Sequence, residues 1–107
     1  MKLPTVVSNL VAAQDRFDAV AYAKCFSAAA VVFDEGRTHQ GTIEIERWIA
    51  SANKKYKTVM RPISYDHAGS SSILTAEISG TFDGSPAVLK YHFEISDGLI
   101  QSLRITG

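Results

Sequence analysis

Val6, Val7, Leu10, Val11 and Gln14 recur at the spacing of one helical face, and Pro4 stands just ahead of them, where a missing N–H costs least. A first helix is predicted from Pro4 onward. The polar break Asp15-Arg16-Phe17-Asp18 is followed by Val20, Tyr22, Ala23 and Phe26 among helix-favouring alanines, which predicts a second, short helix forming a hairpin or elbow with the first. Ala30-Val31-Val32-Phe33-Asp34 is β-branched and aromatic and runs into the turn signal Glu35-Gly36, so a short strand is expected, with residues 37–40 returning beside it before Gly41. Thr42 then reads as an N-cap, with Glu44 and Glu46 in the first turn and Lys54 and Lys55 at the other end, each favoured there by the helix dipole. Ile45, Trp48, Ile49 and Ala52 make the apolar stripe of this third helix.

Beyond Tyr56 the pattern changes to strands. Turn signals divide the remainder into runs at 58–65, 73–82, 87–95 and 99–105, with Asp83-Gly84-Ser85 read as a hairpin turn and Gly80 as a bulge. In the third run Leu89, Tyr91, Phe93 and Ile95 share one face and Lys90, His92 and Glu94 the other, so one face is dry and the other polar. Helices first and strands afterwards predict an α+β domain rather than a parallel α/β sheet. The expected form is a bent antiparallel sheet, cone-shaped and cystatin-like, with the N-terminal helices in its concave face and an apolar hollow between them.

The composition narrows the function. A chain of 107 residues, 46% hydrophobic, suits one domain over 1–107 with one core. Eleven basic and eleven acidic residues balance to zero, and the local cluster Lys54, Lys55 and Lys57 reads as a helix end, so no nucleic-acid partner is expected. Low net charge gives little repulsion between copies, which makes a homodimer the expected assembly. Cys25 is the single cysteine, so an internal disulfide and a multi-cysteine metal site are excluded, and its expected role is a small buried hydrophobe. The start of the chain does not read as a secretory leader, and Asp15, Arg16 and Asp18 interrupt the longest apolar stretch before it reaches the ~18 residues of a membrane span. A cytoplasmic protein without a membrane partner is expected.

Three local patterns carry a family likeness: Cys25-Phe26 with Ala30-Val31-Val32 running into Asp34; Gly41 with Ile45 and Trp48; and Gly80-Thr81-Phe82-Asp83-Gly84-Ser85-Pro86 followed by Leu89, Tyr91 and Phe93. Together with the element order they resemble the nuclear-transport-factor-2-like superfamily, which includes ketosteroid isomerases, scytalone dehydratases and SnoaL-like polyketide cyclases. The likeness covers nearly the whole chain. Asp34-Glu35-Gly36-Arg37-Thr38 with the Gly84-Ser85-Pro86 turn is similar to a bacterial subgroup without an established activity. The resemblance implies a cone that binds or transforms a small apolar molecule without a cofactor. It also implies that Asp34 matches the general base of ketosteroid isomerases, while their tyrosine and aspartic acid oxyanion donors fall near Leu10 and Tyr91. The first donor is thus absent, and Tyr91 keeps one.

The candidate catalytic residues are therefore Asp34 and, across the short hairpin from it, His39; Trp48, Tyr91, Phe93 and Leu10 are the candidate ligand-binding residues. An inward Asp34 would be desolvated and raised toward the range useful for a base. The competing reading is a strand-end aspartate accepting backbone N–H groups in the turn. Trp48 and Tyr91 suit a pocket wall or ordinary core. His39, His67 and His92 lack metal-ligand spacing, so no metal is expected, and His67 reads as an exposed loop residue. Two functions follow: a small-molecule-binding domain acting as an isomerase, cyclase or dehydratase, or a non-catalytic dimerisation or ligand-carrier module using the face of Lys90, His92 and Glu94.

Overall fold

Extended backbone at Pro4 delivers the chain into α1 (Thr5–Asp15), which buries Val6, Val7, Leu10, Ala13 and Gln14. The computed structural model describes residues 2–107. Asp18 caps α2 (Ala19–Ala23) by accepting the Ala21 N–H at 3.0 Å. The helix is shorter than its alanines suggest. β1 (Phe26–Asp34) already begins at Phe26, whose backbone pairs with Ile100 in the last strand; this pairing, with that of Val31, outweighs the helix preference of Ala28 and Ala29. A register shift between Phe26 and Val31 leaves Ala28 and Ala29 exposed.

Glu35 and Gly36 are both left-handed, with φ of 52° and 72°, and make the two-residue turn into β2 (Arg37–Gln40). Gly41, at φ 86°, caps α3 (Thr42–Tyr56), so Thr42 is its first helical residue and not the expected cap. Glu44 lies in the first turn and accepts the Gln40 N–H at 3.4 Å. Lys54 and Lys55 occupy the last turn, and Lys57 in the left-handed region ends the helix.

The remaining strands are β3 (Val59–Ala68), β4 (Ser71–Ser79), β5 (Ala87–Ser96) and β6 (Leu99–Thr106). They join β1 and β2 in one six-stranded sheet of order β2-β1-β6-β5-β4-β3. All pairings are antiparallel except β1 with β6, which makes the sheet mixed. Further register shifts, at 62–64 in β3 and at Glu94/Ile95 between β5 and β6, are the kind that bend a sheet. Pro62 is tolerated because β3 is an edge strand.

The β4–β5 connection is wider than a hairpin turn, and Gly80 is not a bulge. Thr81 N–H donates to Tyr56 O at 2.7 Å, Thr81 Oγ1 donates to Lys55 O at 3.0 Å, and Gly80 N–H donates to Ser85 Oγ at 2.9 Å. The two Thr81 bonds strap the connection to the end of α3 and satisfy carbonyls that the helix leaves free, and the Gly80–Ser85 bond closes the connection on itself. A Cβ on Gly80 would lie 2.4 Å from Tyr56 O, so only glycine permits the approach.

α3 packs on β1 and β2, α1 on β3, and α2 bridges α1 and α3, all over one sheet face. The core between them includes Val7, Leu10, Tyr22, Val32, Ile45, Leu74, Phe93 and Leu103. No helix among the described residues is long and apolar enough to cross a membrane.

Candidate active site

The inner face of the sheet and the three helices enclose a cavity of about 970 Å³. Strand alternation aims Asp34 into it. Val32 is fully buried and Phe33 is 43% exposed on the opposite face, so Asp34, one residue on, returns to the inside. The carboxylate stands half-buried where β1 gives way to the turn. Its pKa is raised, first by desolvation and then by Glu35; hydrogen bonding from Trp48, the nearby His39 and the Glu35 backbone N–H oppose the rise. Asp34 thus borders the cavity from the end of β1, beside the turn residue Glu35.

Aromatic rings wall the Asp34 end of the cavity. Tyr91 on β5 and Tyr22 on α2 both border it while being 7% and 2% exposed. Burial, joined by the charge on Asp34, pushes both phenols well above their ordinary pKa, so both remain proton donors at neutral pH. Trp48 meets Tyr22 edge-on at 6.0 Å between ring centroids, and His39 stacks on Trp48 at 5.4 Å. Asp34, His39, Trp48 and Tyr91 are thus brought together.

Tyr22 was not among the candidates. Its helical spacing marks only a buried face, and nothing in the local pattern separates a core tyrosine from one whose ring reaches a cavity. Two candidates fall elsewhere. Leu10 is fully buried in the core and does not border the cavity, which α1 reaches one turn later, at Gln14. Phe93 shares the inner face and stacks on Tyr91 at 6.4 Å, yet lies in the closed core beyond the cavity. His67 is exposed, though in β3 rather than a loop, and His92 Nε2 lies 2.9 Å from Thr106 Oγ1 on the outer face. Cys25 is buried and its thiol pKa is raised by that burial, an inert setting.

The lining is more polar than the expected apolar hollow. At the end of the cavity formed by α1 and the C-terminal half of α3, buried Gln14 donates through Nε2 to Asn53 Oδ1 at 3.1 Å, to Thr58 O at 3.1 Å and to Thr58 Oγ1 at 2.8 Å. Exposed Glu35, Arg37, Lys55 and Asp83 also border it and form a rim with two charges of each sign. Apolar wall is supplied by Ile49, Ile78, Leu89 and Ile105.

No protein-family model matches the sequence, and no curated protein matches it. Solved structures do. A candidate polyketide cyclase from Sinorhizobium meliloti is 38% identical, superimposes with a TM-score of 0.93, and matches over 97% of this chain and 95% of its own. A protein with a ketosteroid isomerase-like fold from Catenulispora acidiphila, solved with trimethylamine, is 19% identical with a TM-score of 0.88 over 99% of this chain and 87% of its own. An NTF2-like protein of unknown function from Cytophaga hutchinsonii, 15% identical, gives 0.79 over 94% and 85%. The mixed six-stranded sheet, the helices over one face and the likeness to the Sinorhizobium protein together establish that the chain belongs to the nuclear-transport-factor-2-like superfamily, among its SnoaL-like, polyketide-cyclase-like members.

Proposed function

We propose that the chain binds a small carbonyl compound in the inner cavity and catalyses a cofactor-independent proton transfer on it, as an isomerase, cyclase or dehydratase does. The observation that carries this reading is the convergence of one desolvated carboxylate, Asp34, and two buried phenols, Tyr22 and Tyr91, on one hollow. Asp34 takes the proton from the carbon next to the carbonyl. The electron pair left behind moves onto the carbonyl oxygen, and the phenols stabilise that oxyanion by donating hydrogen bonds. Return of the proton from Asp34 to another carbon completes an isomerisation; attack of the enolate on a second carbonyl, whose oxygen then takes the proton from Asp34, completes a ring closure. The likeness to a candidate polyketide cyclase supports this class of reaction. Trp48 and His39 form the side wall beside the carboxylate.

The test needs no natural substrate. β-Acetonaphthone in heavy water exchanges its methyl protons slowly, and proton NMR follows the loss of that signal. The native protein is expected to accelerate exchange. Asp34→Asn is expected to lower the protein-dependent rate about 100-fold or more. Unchanged exchange in Asp34→Asn rejects the base.

A second reading rests on the opposite face of the sheet. There Phe33 (43% exposed), His92 and Glu94 border a groove of about 540 Å³, and Val88 (51% exposed) and Lys90 continue the same face of β5 beyond it. This face suits a homodimer interface, with apolar centres and a mixed-charge margin. A dimerisation or ligand-carrier role without catalysis is the alternative that this surface favours.

A further inference from the structure

We infer that the ligand of the inner cavity carries a hydrogen-bond donor, a hydroxyl or an amine, at the end remote from its carbonyl, and that Gln14 Oε1 receives it. The inference rests on the carbonyl-binding reading and adds the chemistry of the opposite end. Gln14 is 4% exposed and borders the cavity. Its amide has two protons, and three acceptors already compete for them: Asn53 Oδ1, Thr58 O and Thr58 Oγ1. What Gln14 can still offer a ligand is its carbonyl oxygen, an acceptor. The orientation of the amide is held from two elements, α3 through Asn53 and the start of the sheet through Thr58, so it cannot turn its NH2 group to the cavity without losing those bonds.

Geometry separates this acceptor from Asp34. Trp48, which reaches the carboxylate, and Asn53, which holds Gln14, are five residues apart on α3, about 7.5 Å along its axis. Between them α3 lines the cavity with Ile49, Ser51 and Ala52, and Leu89, Ile105 and Ile78 add apolar wall from the sheet. A flat ligand of two or more rings, with a carbonyl at the tyrosine end and a donor at the glutamine end, matches this order of donors, apolar wall and acceptor. The four exposed rim charges cancel, so the rim itself selects neither sign of ligand charge.

The probes are β-acetonaphthone, its analogue with a hydroxyl on the far ring, and the methyl ether of that analogue, titrated into the native protein with calorimetry as the readout. The hydroxyl compound is expected to bind about 3- to 10-fold more tightly than the other two, as one neutral hydrogen bond permits. In Gln14→Met, nearly the same size without an amide, that preference is expected to vanish while β-acetonaphthone still binds. Equal binding of all three by the native protein overturns the donor end and leaves the carbonyl pocket standing. A preference for the hydroxyl that survives in Gln14→Met overturns the role of Gln14. Failure of all three to bind removes the carbonyl pocket and this inference with it. Should Gln14→Met not fold, the hydroxyl-against-ether comparison in the native protein still decides whether a donor is required.

Discussion

Asp34 combines two demands that a strand end rarely meets together. It faces an interior flanked by Tyr22, Tyr91 and Trp48, and it sits beside the left-handed Glu35 that turns the chain back. Its raised pKa has a consequence for stability. The folded state holds the proton more tightly than the unfolded chain does, so ionising the group on passing from acid to neutral pH destabilises the fold. Asp34→Asn, which removes that charge at similar size, is expected to raise the melting temperature at neutral pH by a few degrees. The gain should disappear below the ordinary carboxyl pKa of 3.8, where Asp34 is protonated in both states. Thermal unfolding at several pH values checks this, and a variant less stable at neutral pH would speak against a desolvated carboxylate. The same shift sets the direction for catalysis: exchange should fall as pH drops through a value above 3.8, because a protonated Asp34 accepts nothing. Tyr91→Phe should slow exchange about 10-fold or more while leaving the position of this fall almost unchanged, since the phenol donates and does not titrate there.

At the scale of elements, the apolar and polar periods were readable in order, while their ends were set by partners far along the chain. The face of Leu89, Tyr91 and Phe93 was legible because period two survives intact in β5, and Ile45 and Ile49 marked the buried stripe of α3 for the same reason. The start of β1 was not legible. Ala28 and Ala29 prefer a helix, and the pairing of Phe26 and Val31, which flank them, with β6, seventy or so residues on, holds them extended. The parallel direction of β1 and β6 was hidden likewise, since no local pattern says which strand becomes a neighbour. Tyr22 escaped notice because a short helix with a single tyrosine reads as core. Gly80 marked something special, but its cause was the carbonyl of Tyr56 and not a bulge. Gly80→Ala is therefore expected to destabilise the fold by roughly 1–3 kcal/mol, the range of overpacking, and to loosen the strap between α3 and the β4–β5 connection. Denaturant unfolding measures the loss; an alanine variant as stable as the native protein would mean that the connection shifts freely.

Over the whole molecule, two surfaces divide the work. The inner face carries the cavity with Asp34, Tyr22 and Tyr91, and the outer face carries Phe33, Val88 and the Lys90, His92, Glu94 row. On the proposed reading, chemistry in the inner cavity leaves the outer face available for a second copy. Sedimentation at micromolar to tens of micromolar concentration is expected to give a dimer, and Val88→Glu should shift it to monomer with little effect on ketone exchange, because Val88 faces away from the cavity. A monomer at every concentration would remove the dimer, while loss of exchange in a folded Val88→Glu monomer would tie the site to assembly.

The convergence of Asp34, Tyr22 and Tyr91 around a bound carbonyl is tested most directly by a crystal structure of the protein with β-acetonaphthone. The account predicts the ketone oxygen within hydrogen-bond reach of the two tyrosine hydroxyls, with its methyl carbon beside the Asp34 carboxylate. A ketone seated in the outer groove, or inside the cavity with its oxygen turned away from both tyrosines, would contradict it.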